Sequence, residues 1–360
     1  MQRLAPVFSV LILIAVLAGP EGSPQRSAVH GVHSPPSGNR ALPATRNWTG
    51  LTIIFNADDP WSVFERDLQK AEEWGASVVQ VQVSYYARDH SSAGFPVFDR
   101  RTPTKKQLLH ILKSVKSTGK SLVLHPVLLI QDPDSQYWRG QFEPVHEDLW
   151  WSDYSRWIGE LAMVAESAET DLLFIGSELT SLQTASSRWI PLIQKTRSIF
   201  SGKIGYSANW DSWMKVPFHS ELDILGLNGY FPLDLPGESA IRAVTVEDYR
   251  SRLLPHWSAM NQWKQQHETP LVFTEVGYPA SAIDLSRPWD KGSLLLEQLG
   301  EKQKLGFEAF LGVFGDSGSH CGILFYALHG HDPGSPSGYT PVLKETRMMW
   351  TQLFQESMRP

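Results

Sequence analysis

Asp171-Leu172-Leu173-Phe174-Ile175-Gly176-Ser177-Glu178 is a short apolar run that stops at a carboxylate. Its length and composition suit a strand buried on both faces, the kind found where helices cover a parallel sheet. Pro270-Leu271-Val272-Phe273-Thr274-Glu275-Val276-Gly277-Tyr278 repeats the pattern, with its glutamate again at the end of the run.

The chain around these two runs alternates between strand and helix signals. Leu51–Phe55 reads as strand, Trp61–Trp74 as helix closed by Gly75, and Ser77–Val83 as strand. Thr104–Thr118 has helical spacing and is closed by Gly119, a good C-cap residue. Then come strand Ser121–Leu129, helix Asp148–Glu166, strand Leu172–Glu178 and helix Trp189–Phe200. Strands Lys203–Ser207 and Leu222–Leu227 precede helix Val246–Gln265 and strand Leu271–Glu275. Helix Leu295–Phe310, strand Gly322–Leu328 and helix Lys344–Phe354 finish the series. Eight strands separated by helices imply a parallel sheet, since parallel strands need crossovers. The count favours a closed (β/α)8 TIM barrel, as a single catalytic domain, over an open doubly wound sheet. No Gly-x-Gly-x-x-Gly follows the first strand and no P-loop occurs, which argues against a nucleotide-binding member of the α/β class.

The chain has 360 residues, 42% hydrophobic and 19% charged, with a formal net charge of -6. These are the proportions of a globular protein, and no basic stripe suggests a nucleic-acid partner. The lone cysteine, Cys321, rules out an intrachain disulfide and lies in an apolar run where it reads as a buried small residue. Met1-Gln2-Arg3 followed by the apolar run Leu4–Ala18 reads as a signal peptide over residues 1–18, with an uncleaved anchor as the alternative. Residues 19–46, rich in Pro, Ser and Gly, read as a flexible linker, and 47–360 as the folded domain. Export to the periplasm or outside the cell is therefore expected, as a monomer. Asn47-Trp48-Thr49 matches a glycosylation acceptor.

In a (β/α)8 barrel the strand C-termini converge on the catalytic face. Glu178 and Glu275 would stand there, on strands four and seven, across the barrel from each other. Two such carboxylates suffice to cleave a glycosidic bond: a gap of about 5–5.5 Å implies retention and about 6.5–9.5 Å inversion. Small residues beside each glutamate, Gly176 and Gly277 among them, would leave space for a ligand. Fourteen tryptophans are many for this length. Some fill the core, but Trp138 and Trp289 sit in polar loops and suit stacking on a sugar ring. Asn209 and Trp210 would line the cleft beside strand five. Tyr85 and Tyr86 leave strand two on opposite faces, so only one can point inward. His329, His331 and Asp332, like Asp89 and His90, read as solvated loop residues, and no metal or cofactor is expected. No Ser-His-Asp arrangement is supported.

Landmarks along the chain resemble the family 113 glycoside hydrolases, β-mannanases of the large retaining barrel clan. They are Trp138-Arg139-Gly140, Ile175-Gly176-Ser177-Glu178-Leu179, Tyr206-Ser207-Ala208-Asn209-Trp210-Asp211 and Asp223-Ile224-Leu225-Gly226-Leu227-Asn228-Gly229-Tyr230-Phe231-Pro232. Thr274-Glu275-Val276-Gly277-Tyr278, Arg287-Pro288-Trp289-Asp290 and Gly338-Tyr339-Thr340-Pro341 complete them. The resemblance runs from about Leu51 to Gln352. It implies Glu178 as general acid/base and Glu275 as nucleophile, with Tyr230 orienting the nucleophile through a hydrogen bond. Alternatively, Tyr230 packs the barrel rim. Arg139 would hold charge near the site or pair with an acid of its own loop. Trp138, Arg139, Ser177, Asn209, Trp210, Tyr278, Trp289 and Tyr326 are the expected substrate-binding residues. Tyr326 stands where the clan often has tryptophan.

Two departures stand out. Ser177 replaces the clan's asparagine before the acid/base glutamate, and strand three reads His125-Pro126-Val127-Leu128 where a basic residue, proline and histidine are expected. The implied activity is cleavage of β-1,4-mannosidic linkages in mannan, glucomannan or manno-oligosaccharides. The alternatives are a hydrolase or transglycosylase for another β-linked polysaccharide and an inactive glycan-binding barrel.

Overall fold

The β-rich runs become strands because each is buried on both sides. In the computed structural model, which describes residues 48–238, 243–290, 300–316, 318–329 and 338–357, eight parallel strands close into a barrel. They are β1 (Trp48–Phe55), β2 (Val78–Ala87), β3 (Ser121–Ile130), β4 (Leu172–Ser177), β5 (Lys203–Asn209), β6 (Ile224–Asn228), β7 (Leu271–Val276) and β8 (Gly322–Leu328). The ring follows chain order and closes through β1 against β8, with Trp48 opposite Gly322. The helices are α1 (Trp61–Glu73), α2 (Lys105–Ser117), α3 (Glu147–Ser167), α4 (Ser186–Ile199), α5 (Val246–Gln266), α6 (Glu301–Phe314) and α7 (Lys344–Ser357). The fold is the (β/α)8 barrel that the sequence implies.

Local chemistry sets the helix ends. Thr104 caps α2 with a reciprocal capping box to Gln107, and Thr245 does the same for α5 with Asp248. Gly75 and Gly119 take the left-handed conformation just past α1 and α2, with φ of 80° and 76°. On α2 the buried residues Leu108, Ile111, Leu112 and Val115 fall at helical spacing and face the sheet.

Alternation along the strands sorts side chains into two cores. Outward residues pack against the helices in one large cluster. Inward residues Trp48, Val78, Val123, Leu172, Phe174, Ile224, Val272 and Leu324 fill the barrel's lower interior. Further along the strands the interior turns polar, with Thr52, Gln80, His125, Ser207, Asn228 and Thr274 all fully buried. That change of character marks the end of the barrel that carries the two glutamates.

The expected signal peptide, the linker, Asn47, His331 and Asp332 lie outside the described residues. So does the start of the helix expected from Leu295. One expectation of geometry is corrected. β4 and β7 are three places apart round the ring, with β5 and β6 between them, and are not diametrically opposed. The short way round runs through β6, which gives that strand a direct part in the site.

Candidate active site

Glu178 follows the last residue of β4 and has a φ of 53°, the left-handed region that non-glycine residues seldom adopt. Two contacts hold this conformation. The Glu178 backbone N–H donates to Ser207 O at 2.8 Å, and the Leu179 N–H donates to the Tyr206 hydroxyl at 3.1 Å. A register shift between Phe174 and Ser177 precedes the turn. The space left by Gly176 serves that packing: a β-carbon there would sit 2.9 Å from Trp189 and Tyr206. Gly277 is likewise hemmed by Tyr326 O and Tyr339. The small residues beside the glutamates therefore make room for the protein's own aromatics, not for a ligand as expected from sequence.

Glu275 lies within β7, opposite Asn228 of β6. Tyr230, two residues past Asn228 and so on the same face, donates its hydroxyl to Glu275 Oε2 at 2.8 Å. Burial, reinforced by the Glu275 charge, holds the Tyr230 phenol well above its usual range, so it remains a donor. Among the described residues Glu275 Oε1 has no hydrogen-bond partner, and it lies 3.9 Å from His125 Nδ1. Burial, helped by the Arg139 charge, lowers the His125 pKa to about 3, so this imidazole is neutral.

Glu178 is held differently. Arg139 Nη2 meets its Oε2 at 2.5 Å and Asn228 Nδ2 donates to Oε1 at 2.7 Å. Both oxygens thus accept from strong donors. Burial works against the Arg139 charge, but Glu178 and Glu275 together outweigh it and keep the guanidinium protonated. Arg139 therefore pairs across loops, with Glu178, and not with an acid of its own loop. Its position comes from the turn Arg139–Gln141, where the Trp138 ring folds over Gly140 so closely that a β-carbon would lie 2.3 Å from the indole.

Burial first, and the neighbouring Glu178 charge second, push the Glu275 carboxyl up to about 8, opposed by Arg139 and the Tyr230 hydroxyl. Two buried carboxylates beside a single guanidinium share one proton through the neutral range. In the free protein burial and the neighbouring charge hold a proton on the Glu275 side.

Above the pair opens a cavity of about 540 Å³ lined by Trp138, Arg139, Glu178, Asn209, Trp210, Asp211, Tyr230, Glu275, Trp289, Tyr326 and Tyr339. Eight of the fourteen tryptophans are buried, so core filling accounts for most of them. Trp138 and Trp289, 41% and 44% exposed, flank the cavity, and Trp210 stacks near-parallel to Trp289 with ring centroids 6.2 Å apart. The Trp289 loop is tied down from several sides. Leu233 and Leu285 share a backbone bond, and buried Asp234 accepts from both the Leu285 N–H and the Tyr249 hydroxyl. Gln303 bridges Tyr278 O and Tyr339 O, and the Tyr339 hydroxyl donates to Pro288 O.

Of the residues expected at the site, Glu178, Glu275, Tyr230, Trp138, Arg139, Asn209, Trp210, Trp289 and Tyr326 meet at the cavity. Two do not. Tyr278 is fully buried, packed on Phe307 of α6, because the chain past β7 turns its ring outward. Ser177 is buried opposite Ser207, and its hydroxyl makes no hydrogen bond among the described residues. Tyr339, Asp211 and Asn228 were missed. Alternation from Tyr230 back to Asn228 would have placed the asparagine on the same inward face. Tyr85 packs outward on Trp157 while Tyr86, on the opposite face, carries Arg101 over its ring. Among the described residues no cluster of His, Cys, Asp or Glu could hold a metal. Cys321 is half-buried, and burial pushes its thiol up to about 12.

Two carboxylates at strand ends in an aromatic-walled cleft on a (β/α)8 barrel define the class, an O-glycoside hydrolase. The chain belongs to Glycoside Hydrolase Family 113, whose model matches residues 61–325. It is similar in structure to a GH113 β-mannanase, AaManA from Alicyclobacillus acidocaldarius in complex with ManMIm. The TM-score there is 0.73 at 17% identity, over 86% of this chain and 97% of that one. A GH113 β-1,4-mannanase gives a TM-score of 0.72 at 16% identity, covering 85% and 98% of the two chains. The endo-β-1,4-mannanase from Thermotoga petrophila gives 0.55 at 12% identity, covering 88% and 79%. These likenesses concern the fold. No curated protein matches the chain.

Proposed function

We propose that the protein hydrolyses β-1,4-mannosidic linkages with retention, through Glu275 as nucleophile and Glu178 as acid/base. The observation that carries this reading is the asymmetric pair itself. Glu275 is oriented by Tyr230, and Glu178 by Arg139 and Asn228, at the floor of one aromatic-walled cavity. The names of the similar family 113 structures, all β-mannanases, support the choice of sugar.

The reaction needs the shared proton on Glu178 and a free charge on Glu275. This is the tautomer opposite to the one the free site favours. A glycan entering against Arg139 loosens the guanidinium from Glu178 Oε2, which lets that carboxyl take up the proton. Glu275 then attacks the anomeric carbon while Glu178 gives its proton to the departing oxygen. Once Glu275 is glycosylated its charge is gone. Glu178, now ionised, takes a proton from water as that water attacks, and the glutamate at 275 leaves as carboxylate. Trp138 and Trp289 supply flat apolar faces for sugar rings on either side.

The direct test is to trap the intermediate with an activated 2-deoxy-2-fluoro-β-mannoside and map the adduct by mass spectrometry. The reading expects the label on Glu275. A label elsewhere, or none while ordinary substrate is turned over, would contradict it.

A further inference from the structure

Asn228 ends β6, fully buried, with Asn209 of β5 and Glu275 of β7 as its register partners. Its side chain therefore stands inside the barrel on the short path between the two glutamates. Its Oδ1 accepts from Ser207 Oγ at 2.8 Å and from Thr274 Oγ1 at 2.7 Å, and those two hydroxyls are 2.6 Å apart. Its Nδ2 donates to Glu178 Oε1 at 2.7 Å. The orientation of the amide follows from its partners. Turned over, it would set its oxygen against a carboxylate oxygen and leave the two hydroxyls without their shared acceptor. Thr274 is itself anchored, since Gln80 Nε2 donates to its carbonyl at 2.9 Å. Ser177, next to Glu178 in sequence, makes no hydrogen bond among the described residues, so the amide contact on Glu178 comes from β6.

A carboxyl oxygen held by a clamped amide N–H is the poorer seat for a proton, which favours the other oxygen once Arg139 has loosened from it. We propose that Asn228 is a positioning residue for Glu178: its clamped amide occupies Oε1 and keeps the transferable proton on Oε2, beside Arg139 in the cavity. The inference rests on the acid/base reading of Glu178. The proton leaves from Oε2 as the bond to the anomeric carbon breaks, its electron pair going to the leaving oxygen. Oε2 later receives the proton of the attacking water. The groups that face Glu178 from the surrounding elements are Arg139 after β3, Tyr206 on β5, Glu275 on β7, Tyr326 on β8 and Tyr339 beyond it. Among these, none duplicates the amide on Oε1.

The test compares leaving groups. Asn228→Ala should lower kcat/KM on mannotetraose by about 10- to 100-fold, less than the loss of a general acid itself because the acid is still present. On 2,4-dinitrophenyl β-mannoside, whose leaving group needs no proton, the loss should be at least tenfold smaller. The alkaline limb of the mannotetraose profile, set by the proton the two carboxyls share, should move to higher pH, because the fully ionised pair has lost a donor. Asn228→Asp, which adds a negative charge, should move it further. Should the alanine variant fail to fold, Ser207→Ala, which loosens the clamp alone, should show the same split on a smaller scale. Equal losses on both substrates, or an unmoved alkaline limb in folded variants, would overturn the inference. The reading beneath it is checked separately: azide should rescue Glu178→Ala on the dinitrophenyl substrate. Rescue with equal Asn228 losses removes Asn228's role alone, whereas no rescue overturns both.

Discussion

Glu275 is ionisable where the barrel resists charge, and its pKa of about 8, raised first by burial and then by Glu178, has two consequences. The proton belongs to the pair, so activity requires one proton between the two carboxyls. We expect kcat/KM to fall above about pH 8 as that proton is lost, and to fall again in acid as a second is gained. A pH-rate profile on manno-oligosaccharide checks this, and a flat rate well past pH 8 would contradict it. The second consequence concerns stability. Between the ordinary value of 4.5 and about 8 the folded state holds a proton that the unfolded state has released. Stability is therefore full below 4.5, declines as pH rises through that window, and levels off above about 8. Glu275→Gln removes the titration. It should melt higher than wild type at pH 8, with the gap closing towards pH 4, by calorimetry across that range. Several residues of the site were legible because strand ends betray themselves: an apolar run stopping at Glu178 or Glu275 needs no tertiary knowledge. Asn228 was hidden because its significance lies in Ser207, Thr274 and Glu178, from three other strands. Tyr278 misled because its motif continues past the strand, where chain direction alone decides which way a ring turns.

The elements show the same division. Helix ends were readable where a residue has one dominant conformational use, as at Gly75 and Gly119. The irregularity of β4 was not, because its cause is Trp189 and Tyr206 crowding Gly176 from other elements. Inside the barrel, Phe174 of β4 fills the space that Gly205 and Gly226 leave open on β5 and β6. A β-carbon at Gly226 would lie 2.7 Å from Thr274 Cγ2 and 2.9 Å from the Phe174 ring. Gly226→Ala should overpack this layer and cost about 1–3 kcal/mol, read as a lower melting temperature. It should also lower activity, since Thr274 is part of the clamp on Asn228. At the turn after β3, Gly140→Ala must displace the Trp138 indole. We expect a raised KM for oligosaccharides with little change in melting temperature, measured by kinetics and thermal unfolding side by side.

For the molecule as a whole, the alternation of strands and helices sufficed to specify the ring, because parallel strands joined by helices have few ways to close. The relation of β4 to β7 was misjudged as opposition. Their true separation of three strands makes β6 the bridge between the glutamates, through Asn228 to one and Tyr230 to the other. With Cys321 the only cysteine, the barrel rests on its packed core. Its melting temperature should be the same with and without reductant. The chemistry assigned to this ring is double displacement, and it leaves a stereochemical record. Proton NMR of mannotetraose hydrolysis, followed from the first minute, reads the anomer of the newly formed reducing end before mutarotation. The β anomer should appear first with wild type, and Glu275→Ala should form no product. A first-formed α anomer, or turnover persisting in Glu275→Ala, would contradict retention through Glu275.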